Sequence, residues 1–173
     1  VADRTGLLSF GLIPLLIIFA GRNNILISLT GIPYTSFVFY HKWVARFMFL
    51  HAVIHSAFWT GYGIDVKYLS DYMQYDYWRW GIVATILAGL ICFQAFHMFR
   101  KMSYEVFFCL HVVLAALFIV GCFYHCVEIG FLEWIWVSCA LWVLDRISRV
   151  VRILLFGIRD AEIKYISDGT FRV

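Results

Sequence analysis

The sequence predicts an all-α, polytopic transmembrane helical bundle, and three observations carry that prediction. Hydrophobic residues make up 63% of the chain and charged residues 14%, with a mean hydropathy of +0.83; an ordinary soluble domain has roughly 45–50% apolar and about 25% charged residues. Five apolar segments of about spanning length alternate with polar turns. Two of those segments each carry a pair of histidines at one spacing, His41 with His55 and His111 with His125, since 55 − 41 and 125 − 111 both equal 14.

The first segment runs from about Arg4 to Ile27, with an uncharged core from Thr5 to Gly21 that includes Pro14. Proline is tolerated in a membrane helix whose neighbours satisfy the freed carbonyl. Thr30-Gly31-Ile32-Pro33-Tyr34-Thr35 is turn chemistry and closes this segment. The second span is expected over Trp43 to Trp59, with His41 just before it and Gly61-Tyr62-Gly63 ending it. A tyrosine-rich loop from Ile64 to Arg79 follows, holding Asp65, Asp71 and Asp76. The third span is expected over Trp80 to Phe99, stopping at Arg100-Lys101, the fourth over Tyr104 to Val127, and the fifth over Phe131 to Val151. Arg146, Arg149 and Arg152 share one face of that last helix by their threefold spacing.

After Gly157 the pattern alternates apolar and polar residues around Asp168-Gly169. That is the signature of a β-hairpin, so residues 1–157 read as the membrane domain and 158–173 as the truncated start of a soluble β-barrel. The start V-A-D-R-T-G lacks the charged region of a cleavable signal, and the chain reads as a piece of something longer. Eleven of the fourteen basic residues fall on the side carrying the 22-to-46 loop, Arg100-Lys101 and the C-terminal tail. The positive-inside rule makes that side, and the C-terminus, cytosolic.

Fourteen residues make just under four helical turns, so the histidines of each pair share a face about 21 Å apart along the axis. One span separates the two helices, which therefore run parallel and bring His41 beside His111 and His55 beside His125. Opposed imidazoles at two levels are what two stacked, bis-histidine haems need. An intramembrane ionisable group is expensive and marks function, and ligation relieves the cost of an unpaired polar ring. Ala45, Ala115 and Gly121, each four residues from a ligand, would let a porphyrin approach the backbone. Met48 and Phe118, midway between the levels, are candidate groups between the two haems. Arg4, Arg22 and Arg46 lie near the depth of haem propionates and are candidate contacts to them; Arg100 serves equally as a snorkelling side chain. His51 and His97 have no equivalent partner and read as non-ligands. The five cysteines contain neither C-x-x-C nor C-x-x-C-H, so any haem is held non-covalently.

These residues sit in stretches that together resemble the ferric reductase transmembrane domain, shared by fungal-type metalloreductases and NADPH oxidases. The stretches are R-T-G-L-L-S-F-G-L-I-P-L-L at 4 to 16, R-N-N at 22 to 24, L-T-G-I-P-Y at 29 to 34 and H-K-W-V-A-R at 41 to 46. L-H-A-V-I-H at 50 to 55, S-Y-E-V-F-F-C-L-H at 103 to 111 and D-R-I-S-R-V-V-R at 145 to 152 complete them. The resemblance implies six transmembrane helices, of which five spans are present here. It also implies two b haems on the four histidines and a cytosolic module binding FAD and NADPH after the last helix. The family's H-R-W-x-G-R reads H-K-W-V-A-R here, and Trp59 stands where superoxide-producing relatives carry a histidine, which favours a metal reductase.

The function expected on this basis is electron transfer from cytosolic NADPH and FAD through two haems to an extracellular ferric or cupric chelate, across the plasma membrane. Asp65, Asp71, Asp76, Glu128 and Glu133 make the outer surface acidic enough to attract cations. The partners are lipid, the protein's own flavin module and the chelate; nothing calls for nucleic acid. The alternatives are an NADPH oxidase-type superoxide generator, a quinol-oxidising cytochrome b, and a haem-free proton channel or membrane scaffold.

Overall fold

Helices account for nearly all of the computed structural model. It describes residues 1–22, 24–157, 164–167 and 170–172. In chain order these form α1 (Ala2–Ala20), α2 (Ile25–Thr30), α3 (Tyr34–Asp65), α4 (Leu69–Tyr72), α5 (Asp76–Gln94), α6 (His97–Met102), α7 (Tyr104–Cys126), α8 (Glu133–Phe156), β1 (Lys164–Ser167) and β2 (Thr170–Arg172).

Several boundaries differ from the expected ones. The first segment splits, because the chain turns extended at Gly21 and Asn24 opens a new helix. The Asn24 side chain accepts from the Leu26 amide at 2.8 Å and donates to the Ile18 carbonyl at 2.7 Å, tying α2 back to α1. Gly31, at φ 69°, ends α2 in the left-handed conformation that glycine adopts without cost. The expected second span is longer at both ends: α3 takes in His41 and continues through Gly61 and Gly63 to Asp65. Gly63 is buried there, and a Cβ on it would come 3.2 Å from the Tyr72 ring of α4. Helix α5 stops at Gln94, and α6 begins a separate turn at His97. Helix α7 follows the expected fourth span to within a residue.

Among the described residues, three helices are long and apolar enough to cross a membrane: α1, α5 and α7. Helices α3 and α8 are long, about 48 and 36 Å at 1.5 Å per residue, but fall short in apolar composition. His41, Lys42, Arg46, His51 and His55 dilute α3, and Asp145, Arg146, Arg149 and Arg152 dilute α8.

Helix α1 packs along α3, α5 along α7, and α8 closes against α1. A small buried core of Ile13, Leu16, Met48, Ala84, Ala88, Phe118, Cys122, Cys126 and Ile135 lies between them. Outward positions are also apolar, including Phe58, Ile86, Phe108 and Trp136, as expected where lipid replaces water as the solvent. Strands β1 and β2 pair antiparallel, with Lys164 opposite Arg172 and Tyr165 opposite Phe171. The Asp168-Gly169 turn lies outside the described residues.

Candidate functional site

The four histidines meet as two pairs. His41 of α3 and His111 of α7 have ring centroids 6.2 Å apart with planes at 59°. His55 and His125 are 6.3 Å apart with planes at 80°. The helices that carry them therefore run parallel. The His41/His111 pair lies at the end of the bundle bearing Lys42 and Arg46, called here the basic end, and the His55/His125 pair lies at the opposite, N-terminal end.

Each ring is held from behind. His55 Nδ1 donates to the Ala2 carbonyl at 2.8 Å, His41 Nδ1 to the Leu16 carbonyl at 2.9 Å and His125 Nδ1 to the Tyr77 carbonyl at 2.7 Å. A carbonyl only accepts, so Nδ1 carries the proton in these three rings and Nε2 keeps its lone pair for a metal. His111 Nδ1 instead faces the side-chain amide of Gln94, 3.4 Å away.

Glycine makes two of these contacts sterically possible. A Cβ on Gly6 would lie 2.7 Å from His55 Nδ1, and one on Gly81 would lie 2.8 Å from His125 Nδ1. Each glycine sits four residues after the carbonyl that receives the same ring, Ala2 before Gly6 and Tyr77 before Gly81. Helices α1 and α5 thus use one local device on two histidines. Arg4-Thr5-Gly6 and Arg79-Trp80-Gly81 repeat it in sequence.

The spacing fits a single metal between the rings of each pair. With a metal–imidazole bond of about 2 Å and a ring centre about 1.1 Å behind the nitrogen, rings on opposite sides of one ion have centres about 6 Å apart. Among the described residues no group of three or more His, Cys, Asp or Glu could hold a metal.

Residues 5–122 match the family described as "Ferric reductase like transmembrane component". The chain belongs to that family. It is 44% identical over its whole length to "Ferric reductase transmembrane component 3" of Saccharomyces cerevisiae, covering 24% of that protein. It is 42% identical to "Ferric/cupric reductase transmembrane component 2" of the same yeast, covering 24% of it. It is also 41% identical to "Ferric/cupric reductase transmembrane component 1" of Candida albicans, covering 23%. All of the chain is matched in each case; it spans about a quarter of the length of these curated relatives. No solved structure matches it. With its three span-length helices, this ferric reductase-like chain is an integral membrane protein.

The remaining expected site residues of this family member fall in different places. Met48 and Phe118 are buried in the core at 5% and 8% exposure, on the two histidine helices. Arg22 lies over the Tyr34 ring and Arg46 over the Trp43 ring, at 5.8 and 4.9 Å, while Arg4 is exposed on the first turns of α1. Gly121 does not open space for a cofactor: a Cβ there would touch Ala84 of α5 at 3.4 Å, so it is a helix contact. His51 bonds the Phe47 carbonyl one turn back on its own helix, and His97 is exposed in the first turn of α6. Of the acids, Asp76 is paired with Arg79, and Asp71, Asp76 and Glu133 sit in first turns, where the helix dipole favours them. Gly6, Gly81 and Gln94 were not singled out from the sequence; the repeated Arg-x-Gly is the signal that marks the first two.

Proposed function

We propose that this chain is the haem-carrying transmembrane segment of a ferric or cupric reductase. The observation that carries the reading is the pair of imidazole pairs, 6.2 and 6.3 Å apart, with rings fixed from behind. In it, His41 and His111 hold one b haem and His55 and His125 the other, each through Nε2. When bound, the two haems supply one-electron carriers at two levels of the bundle. The chain's own part is to hold the ligand tautomers, keep water out with Met48, Phe118 and their neighbours, and place the two levels about 21 Å apart along the helices. Arg4, Arg22 and Arg46 supply cations for propionates at the two ends.

In this reading α1, α3, α5, α7 and α8 all cross the plasma membrane, with the basic end and the C-terminus cytosolic. The β1/β2 pair opens a soluble module, from residue 158 onward, that binds FAD and takes electrons from NADPH. Because two histidines would hold each iron, a ferric or cupric chelate would be met at the surface of the opposite end, near Asp65. The names of the yeast relatives agree with that class of acceptor.

The test is a visible spectrum and haem count on the full-length protein purified from haem-replete membranes. Two haems per chain are expected, and absence of a Soret band overturns the reading. NADPH-driven reduction is then compared with a ferric chelate, a cupric salt and dioxygen as acceptors. Faster turnover with the metals is expected, and exclusive use of dioxygen overturns the assignment as a metal reductase.

A further inference from the structure

Three of the four imidazoles are held by main-chain carbonyls, and the fourth is not. On α1 the two contacts, Ala2 and Leu16, are 16 − 2 = 14 residues apart, the same step that separates the histidines they hold. On α5 the step from Tyr77 to the group facing His111 is 94 − 77 = 17 residues, and that group is a side chain. The residue fourteen after Tyr77 is Ile91, still inside α5, yet what faces His111 is the Gln94 side chain three residues further on.

Gln94 is only 8% exposed. As placed, its Nε2 is the atom toward His111, which would require an unprotonated Nδ1 and would put the ring proton on the ligating nitrogen. Its Oε1 meanwhile is buried without a partner. A buried amide oxygen left unpaired costs about 1–3 kcal/mol. With the two ends of the amide exchanged, Oε1 receives the Nδ1 proton, and His111 takes the tautomer of the other three rings.

We propose that Gln94 is the positioning residue for His111: its amide oxygen accepts from Nδ1, fixing the tautomer and orientation in which Nε2 binds iron. This rests on the haem reading above and deepens it. It also makes the two sites unequal, because a single side chain governs one ligand at the basic end while both ligands at the other end rest on backbone. A substitution can therefore address one haem alone.

The experiment uses full-length wild-type, Gln94→Leu and Gln94→Glu proteins in detergent. Transfer of haem to an excess of apomyoglobin is followed by absorbance, together with a potentiometric titration of both haems. Leucine fills similar space but accepts no proton, whereas glutamate restores an acceptor. Losing an outer partner of a metal-bound histidine costs 10–100-fold in affinity, so in Gln94→Leu one of the two haems should leave about tenfold faster or more. Its potential should shift upward as His111 becomes a weaker donor, while the second haem is unchanged. Gln94→Glu should return slow release and move the same potential downward. Wild-type release from both haems in Gln94→Leu, equal acceleration of both, or no rescue by glutamate would each overturn the proposal. A wild-type protein without haem would instead overturn the underlying reading.

Discussion

Gly6 of α1 lies so close to the His55 ring of α3 that a Cβ would sit 2.7 Å from Nδ1 and 2.9 Å from Cε1. The ring cannot yield without giving up the Ala2 carbonyl, to which Nδ1 donates at 2.8 Å. Gly6→Ala is therefore expected to displace His55 and lower haem content toward one per chain. Overpacking of this kind costs about 1–3 kcal/mol. Gly81→Ala should do the same through His125, while Gly11→Ala, with nothing within 4 Å of its Cβ, serves as the neutral control. Haem-to-protein ratio after purification checks all three; full occupancy in both Gly6→Ala and Gly81→Ala would show that the glycines do not serve the histidines.

Replacing His41 or His55 by alanine should leave a single haem, reducing the α-band amplitude to about half. The two variants should retain different haems, distinguishable by midpoint potential. Identical residual spectra and potentials would mean that the pairs do not bind separately.

Ring orientation gives a third expectation. Two imidazoles with parallel planes donate into the same iron d orbital and split the pair, whereas crossed planes act on different orbitals and leave them nearly degenerate. Were haem held by each pair as proposed, the 59° and 80° angles between the rings would place both sites toward the crossed limit, the His55/His125 site further. Ferric protein at low temperature should show strongly anisotropic low-spin EPR signals, the larger anisotropy belonging to the haem lost in His55→Ala. Two ordinary rhombic spectra would contradict the ring geometry.

Ser9 contributes to the packing of α1 against α3. Its hydroxyl donates to the Met48 carbonyl at 3.1 Å in a buried position, joining α1 to α3. Interhelical hydrogen bonds in membranes are worth about 0.6–2 kcal/mol. Ser9→Ala should thus lower the thermal midpoint modestly and leave two haems bound, as read by thermal unfolding and the haem ratio.

The pairing of the histidines was legible because the fourteen-residue step and the parallel course of two helices are properties of sequence order and helical pitch. Their supports were not, since Ala2, Leu16 and Tyr77 act through carbonyls that any residue possesses. Gly6 and Gly81 could be read only once the ring each faces was known. Helix ends misled where local chemistry competes with packing. Gly61 and Gly63 look like terminators, yet α3 runs through both, and Gly63 lies against Tyr72. In the first apolar segment, Asn24 caps a new helix and ends what hydropathy alone would continue. Gln94 passed unnoticed because one amide in an apolar run signals nothing until its oxygen is found buried and unpaired.

Ile13, Met48 and Phe118, all under a tenth exposed, close the middle of the bundle. Under the proposed function the current through the chain is carried by electrons. With the cell interior at −100 mV, each departing electron gains about 2.3 kcal/mol, and each departure depolarises the membrane a little further. Sustained turnover must then be balanced by cation efflux through some other conductance, and the rate of metal reduction becomes sensitive to membrane voltage.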